Sequence, residues 1–384
     1  MIIGLAPMDG VTDLAYRTIV QDVVKQYNTA DTLRTWTEFM NTDGYMTHPS
    51  RLVKHLIHQD QEKKLIAQIY GWNPDTLIKT AIDIEQKYPS FFGIELNIGC
   101  PSPKVMSCGW WSGMMRDKKA TLNIIKNIST SITKPFSIKV RAWLDDNDKA
   151  SQQEFILAAA QYCKTISIHG RTFKQGHSGD VDRDMMYQIK KIVGNTCNII
   201  GNGGIKSYAD AQAHLQNLDG IMIAQAAIGD PRVLTPHIPT PQDRYDILHK
   251  HLALTVAYES YFLDTLEKYP ENPEDTILMQ NKKNLHSIKI EQDDDTILHD
   301  IPEIQTHNRS MPFPTREELQ DRIENIEKIV QSRPQRRSVL EFRKYAFNYL
   351  ATLPGSKECK IQLAQTKDYF ETKEIINTFF SKLS

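Results

Sequence analysis

Phe136-Ser137-Ile138-Lys139-Val140-Arg141-Ala142, Thr165-Ile166-Ser167-Ile168-His169-Gly170 and Asn198-Ile199-Ile200-Gly201-Asn202-Gly203 are three short apolar runs, each ending in polar groups or small residues. They begin roughly 30 residues apart, a spacing that leaves room for one helix between each pair. That alternation predicts βα units around a parallel sheet. Working outward, Gly220–Gln225 follows after a shorter interval, and Ile2–Met8, Thr32–Phe39, Lys64–Gly71 and Phe92–Gly99 precede. Eight such units closing on themselves make an α/β fold of the (β/α)₈ TIM barrel type. Asp75–Tyr88, Ala120–Ile132 and Asp210–Leu218 carry apolar residues three and four apart, as helices laid on a barrel do.

The chain of 384 residues is longer than a barrel needs, which predicts a second, smaller domain. Pro231, Pro236, Pro239 and Pro241 interrupt any helix there, so the barrel is expected to span 1–238. Residues 239–266 read as a linker and a first helix, with the helical pattern over Arg244–Leu266. Residues 267–315 form a polar insertion, with Thr276–Gln280 and His286–Glu291 as a candidate hairpin. Residues 316–384 carry helical periodicity over Arg316–Gln331 and Arg337–Leu353, predicting a C-terminal helical domain.

With 40% hydrophobic and 24% charged residues, the composition excludes disordered, collagen-like and coiled-coil classes. No apolar run reaches the length of a membrane span, and no basic leader precedes the first strand, so no membrane partner is expected and the cytoplasm is the expected location. Five cysteines without a C-x-x-C pair point to reduced thiols and to no metal site. A formal net charge of −1 limits any polyanion to a local basic patch. Oligomeric state is not indicated.

In a barrel of this kind chemistry sits in the loops after the strands. After the fourth strand come Asn97-Ile98-Gly99-Cys100-Pro101, a carboxamide and a thiol on backbone stiffened by proline. The last two loops supply Gly201-Asn202-Gly203-Gly204 and Ala224-Gln225-Ala226-Ala227, small residues whose backbone amides can approach an anion. Lys139, Arg141, His169 and Arg171 project polar groups toward the same mouth, with Gln68 from the third strand. So many converging polar ends favour a bound anionic cofactor.

Seven segments in order carry a resemblance. They are Ala6-Pro7-Met8-Asp9-Gly10-Val11-Thr12-Asp13, Gln68-Ile69-Tyr70-Gly71, Asn97 to Val105, Ile138-Lys139-Val140-Arg141, His169-Gly170-Arg171-Thr172, Gly201 to Ile205 and Gly220-Ile221-Met222-Ile223. Together they resemble the tRNA-dihydrouridine synthases, flavin-dependent enzymes that reduce uridines in tRNA. Phe342-Arg343-Lys344-Tyr345 and Tyr349 before Leu353-Pro354-Gly355 are similar to that family's RNA-binding helical domain.

The resemblance implies FMN as cofactor, NADPH as reducing co-substrate and tRNA as partner. Pro7 and Met8 belong to the implied cofactor site. Asn202, Gly203, Gly204, Ala224 and Gln225 would hold the phosphate, Lys139 and Gln68 would meet the isoalloxazine ring, and His169 would contact the flavin. Cys100 would be the catalytic acid that protonates C5 of uracil while hydride adds at C6. Asn97, Arg141 and Arg171 are the implied substrate contacts.

The chain departs from the family pattern at three places. Ala224-Gln225 stands where a Gly-Arg pair is usual, and Val181-Asp182-Arg183 where Ala-Asp-Trp is usual. Trp72, Trp110, Trp111 and Trp143 occupy positions that favour glycine, which predicts either an aromatic stacking platform or UGA codons meaning glycine, and strain wherever the backbone needs positive φ. Two other classes compete with the main reading. One is a flavin-dependent barrel reductase of a free pyrimidine or other small activated alkene. The other is a catalytically inactive RNA-binding homologue. The basic group Arg333, Arg336, Arg337, Arg343 and Lys344 argues against the first, and Cys100, Asn97 and Lys139 against the second.

Overall fold

The computed structural model describes residues 1–28, 30–59, 61–99, 111–144, 148–268, 313–332 and 336–383. Its strands are β1 (Ile2–Leu5), β2 (Thr32–Trp36), β3 (Met40–Asn41), β4 (Leu65–Tyr70), β5 (Gly93–Asn97), β6 (Phe136–Arg141), β7 (Thr165–His169), β8 (Asn198–Asn202) and β9 (Gly220–Ile223). All pair in parallel. Eight of them close a barrel through Thr35↔Leu65 at one seam and Ile2↔Gly220 at another, while the two-residue β3 only lengthens the edge beside β4. Each expected run contains one barrel strand. Strands β5 to β8 end on the polar residues Asn97, Arg141, His169 and Asn202, and the small residues that close those runs begin the loops of the mouth.

Alternation along the strands sorts side chains between the barrel interior and the surrounding helices. Ile3 and Leu5 face outward into the large core shared with the helices. Gly4 and Ala6 face inward, where the Trp36 indole fills the barrel; a methyl group on Gly4 would lie 3.1 Å from that ring. Ala6, Trp36, Ile66, Ile200 and Met222 form the apolar half of the interior. The other half, from β4 to β7, is polar and holds Gln68, Glu95 and Ser167, all fully buried. Burying these groups is tolerable only where they satisfy one another.

Beyond the barrel, a long helix Pro241–Lys268 is flanked by helices Arg316–Glu324, Ile326–Ser332, Arg336–Tyr349, Ser356–Gln365 and Tyr369–Phe380. The expected single helix over Arg316–Gln331 is two, broken at Asn325, and the last two helices were not anticipated. Thr315 and Glu318 form a reciprocal cap that fixes where the first of these starts. The candidate hairpin at Thr276–Gln280 and His286–Glu291 lies outside the described residues.

The helices are packed directly onto the barrel. The Tyr345 ring stacks on Tyr16 of the first barrel helix (Leu14–Tyr27) at 5.2 Å, and its hydroxyl donates to the Val11 carbonyl at 2.5 Å. The Tyr16 hydroxyl donates to the Ala227 carbonyl, and His251 Nδ1 lies 2.9 Å from the Tyr349 hydroxyl. All four rings are buried. The barrel and the described helices beyond residue 238 share one buried core.

Candidate functional site

The carboxyl ends of the strands open into a cavity of about 740 Å³. Register explains why its polar residues lie level with one another. Asn97 pairs with Lys139, Arg141 with His169, and His169 with Asn202, so β5 to β8 each deliver a polar side chain to the floor. Ala6, Met8, Val11, Phe39, Met222 and Ile228 supply apolar wall on the opposite side. A cavity with one apolar wall and one convergent polar face suits a flat aromatic ligand bearing an anionic tail.

Most expected site residues meet there. Pro7, Met8, Asn97, Lys139, Arg141, His169, Arg171, Asn202, Gly203, Gly204, Ala224 and Gln225 all line the cavity. Gln68 does not. It lies one layer below, donating from Nε2 to Glu95 Oε1 at 2.6 Å and accepting from Asn97 Nδ2 at 3.1 Å. Its amide is committed on both sides, so it orients Asn97 from beneath. Cys100 lies outside the described residues; its neighbour Gly99 lines the cavity.

Asn97 Oδ1 accepts from the Gly99 N–H at 3.0 Å. With Nδ2 bound to Gln68, the carboxamide keeps one N–H and one lone pair toward the cavity, enough for a paired contact with an amide edge. Arg141 is fully buried, and its guanidinium is largely committed to backbone: Nε donates to the Gly99 carbonyl at 3.0 Å, and Nη1 to those of Thr172 and Gly176 at 2.8 and 2.7 Å. It braces the loops after β5 and β7, a role that the sequence reading, which made it a substrate contact, did not foresee.

His169 is nearly buried, and desolvation, reinforced by Lys139, Arg141, Arg171 and His177, pushes its pKa down to about 2. The ring is neutral at physiological pH. Arg171 Nη1 approaches His169 Nε2 at 3.4 Å, and since arginine only donates, the ring proton belongs on Nδ1. Glu95 is pushed the other way, to about 7, by burial that Gln68 and the nearby Lys139 only partly offset. Asn202 ties β8 to β9 by donating to the Met222 carbonyl at 2.8 Å. Gly203 and Gly204 follow with φ of +114° and +70°, a turn that exposes bare backbone to the cavity.

Glu95, His177 and Lys206 were missed in the sequence. Glu95 sits two residues before Asn97 on a buried strand, so period-two alternation alone could have placed it inside. His177 and Lys206 line the cavity from loops.

Trp72, Trp111 and Trp143 do not carry the expected backbone strain. Among the described residues outside glycine, only Gln216 has positive φ, so Trp72 and Trp143 sit on ordinary backbone. Trp72 is 47% exposed, whereas Trp143 is buried with the Lys149 ammonium 4.7 Å from its ring centre. Trp111 begins the helix Trp111–Arg116, and Trp110 lies outside the described residues.

The basic group of the helical region is divided. Arg337 pairs loosely with Glu259 at 3.9 Å, while Lys344 pairs with Glu341 at 2.8 Å. Arg333 lies outside the described residues. Lys344 also reaches the barrel: a methyl on Gly10 would lie 3.7 Å from its ammonium, which places a cation beside the first loop of the mouth.

Fold and site thus define a (β/α)₈ barrel with a polar, anion-receptive mouth and helices packed beside it. A family model described as dihydrouridine synthase matches residues 4–283, and the chain belongs to that family. It is 27% identical over 267 residues to a probable tRNA-dihydrouridine synthase of Rickettsia typhi, covering 66% of this chain and 79% of the relative. It is 30% identical over 234 residues to tRNA-dihydrouridine synthase B of Pasteurella multocida, covering 60% and 66%. A solved mandelate oxidase structure aligns with 59% of this chain and 65% of its own at 12% identity, with a TM-score of 0.37. Among the described residues no helix is long and apolar enough to cross a membrane, and no group of three metal-ligating side chains occurs.

Proposed function

We propose that this chain reduces uridines in tRNA to 5,6-dihydrouridine, with FMN as cofactor and NADPH as reductant, in the cytoplasm. The observation that carries the reading is the convergence of Asn97, Lys139, His169, Asn202, Gly203 and Gly204 on one cavity in a chain of this family. The residues fit a flavin nucleotide: apolar wall for the ring, a cation and a carboxamide at its polar edge, and a bare two-glycine turn at the anionic end.

In this reading Pro7, Met8, Lys139 and His169 surround the ring, while Asn202, Gly203, Gly204, Ala224 and Gln225 hold the tail. When bound, FMN supplies hydride to C6 of uracil. Lys139 places positive charge at the edge where a reduced flavin gathers electron density. Neutral His169 donates from Nδ1 without adding charge. Asn97, oriented by Gln68 and Glu95, pairs with the uracil amide edge. Cys100 delivers the proton to C5, a role that needs the protonated thiol and suits an ordinary cysteine pKa of about 8.5. The helical region would carry tRNA, with Lys344 where polynucleotide passes the mouth.

A flavin absorption spectrum in the purified protein, together with mapping of dihydrouridine in tRNA from cells lacking the gene, tests this. Unchanged dihydrouridine at every tRNA position would overturn it.

A further inference from the structure

We infer that Arg183 and Arg171 together form a two-guanidinium clamp for a phosphate monoester at Gly203-Gly204. The inference rests on the flavin nucleotide reading and names residues for its anionic end. A methyl group on Gly204 would lie 3.4 Å from Arg183 Nη2 and 3.6 Å from Arg171 Nη2, so both guanidiniums converge on one bare backbone position. They arrive from different elements. Arg171 follows β7, and Arg183 opens the helix Arg183–Val193.

Two guanidiniums directed at one position repel each other, and an anion bound between them would relieve that repulsion. Desolvation, reinforced by repulsion from Arg183, lowers the pKa of Arg171. Arg171 is anchored by Nε to the Gly179 carbonyl at 2.9 Å and by Nη1 to His169, which leaves Nη2 for the clamp. Asp180 offers it only long-range attraction. Among the described residues Arg183 has neither a hydrogen bond nor an ion pair. A free guanidinium held against a turn with two glycines at positive φ has the chemistry of a phosphate site, because fork-shaped donors and exposed backbone amides complement a doubly charged oxyanion. Lys206 lines the cavity two residues beyond the turn and adds a third cation.

The neighbouring loop explains why such a clamp is needed. Ala224-Gln225 follows β9 with no charge of its own, so the cationic contribution to this end of the cavity comes from the segments after β7 and β8, with Arg171 and Lys206 in its lining. Gln225 also lines the cavity, which makes it the position where a charge could be moved back.

The test compares FMN with riboflavin, which differ only in the phosphate, binding to the full chain stripped of flavin. Because the Arg183 side chain makes no hydrogen bond among the described residues, Arg183→Gln removes the charge and leaves the described framework in place. FMN affinity is expected to fall about tenfold or more, the usual weight of a charge-assisted contact, while riboflavin affinity stays the same. Adding Gln225→Arg to that variant should restore part of the FMN affinity. An equal loss for both flavins, or no loss for either, overturns the clamp. So does an Arg183→Gln variant that keeps its preference for FMN yet binds tRNA more weakly, since the guanidinium would then serve polynucleotide. If the unaltered chain binds neither flavin, the functional reading falls and takes this assignment with it; if it binds both equally, only the clamp falls.

Discussion

Gln68 Nε2 lies 2.6 Å from Glu95 Oε1 in the sealed interior of the barrel, one layer beneath the cavity floor. This contact fixes which end of the Gln68 amide faces down and therefore that its oxygen faces Asn97. The carboxyl group holding it is itself uncomfortable, because burial raises its pKa to about 7.

The sign of the resulting pH dependence follows from that rise. The folded chain keeps a proton on Glu95 that the unfolded chain has released, so this group's contribution to stability is full below about pH 4.5 and is lost as pH rises through 7. Glu95→Gln removes the titration and keeps an acceptor for Gln68. Relative to the unaltered protein, its stability should improve between pH 5 and pH 8 by up to about 3 kcal/mol, reduced by whatever Lys139 loses. Urea unfolding at the two pH values measures it, and parallel curves would rule the shift out.

Cys100→Ala should leave flavin bound and NADPH oxidation largely intact while slowing uridine reduction by roughly 10²-fold, the usual weight of a positioned general acid. Single-turnover reduction of tRNA reads this directly. An unchanged rate would remove the thiol from the chemistry.

Lys139→Met keeps the length of the side chain and removes its charge. The reduced flavin should lose stabilisation, so the midpoint potential should become more negative and FMN should bind less tightly. A potential equal to that of the unaltered protein would place Lys139 away from the ring.

Much of this was legible in the chain. Parallel strands buried on both faces read as near-continuous apolar runs, and their polar ends mark the mouth, which is why Asn97, Lys139, His169 and Asn202 could be placed in advance. What stayed hidden depended on distant backbone. Nothing near Arg141 announces that carbonyls of Thr172 and Gly176 will occupy it. Arg183, twelve residues past Arg171, looks like an ordinary start to a helix until the fold brings both to Gly204. The helix Ser356–Gln365 escaped because its apolar positions are few: Cys359 and Leu363 are the only hydrophobic residues it buries.

The tryptophans separate two outcomes. Trp143→Gly should lower stability by about 3–5 kcal/mol, since a buried indole leaves a cavity. Trp72→Gly, at a site 47% exposed, should change it by well under 1 kcal/mol. Thermal unfolding of the two variants decides, and a stabilised Trp143→Gly would show that position 143 is built for glycine after all.

Lys344→Ala should weaken tRNA binding without affecting flavin, and the dependence of log affinity on log salt should become shallower by about one unit. Filter binding at several salt concentrations measures the slope. An unaltered slope would mean that the ammonium beside Gly10 touches no phosphate.

The stacking of Tyr345 on Tyr16 has a mechanical consequence. With Tyr16, His251, Tyr345 and Tyr349 buried across the junction, barrel and helices share one packed core and would act together as a gauge. If the helices carry tRNA as proposed, they would offer it to the cavity at a set distance and angle, as a workpiece is held against a fixed stop. Selection of one nucleotide over its neighbours would then lie in the dimensions of the gauge, and a cut between the two parts would spoil its calibration together with its core.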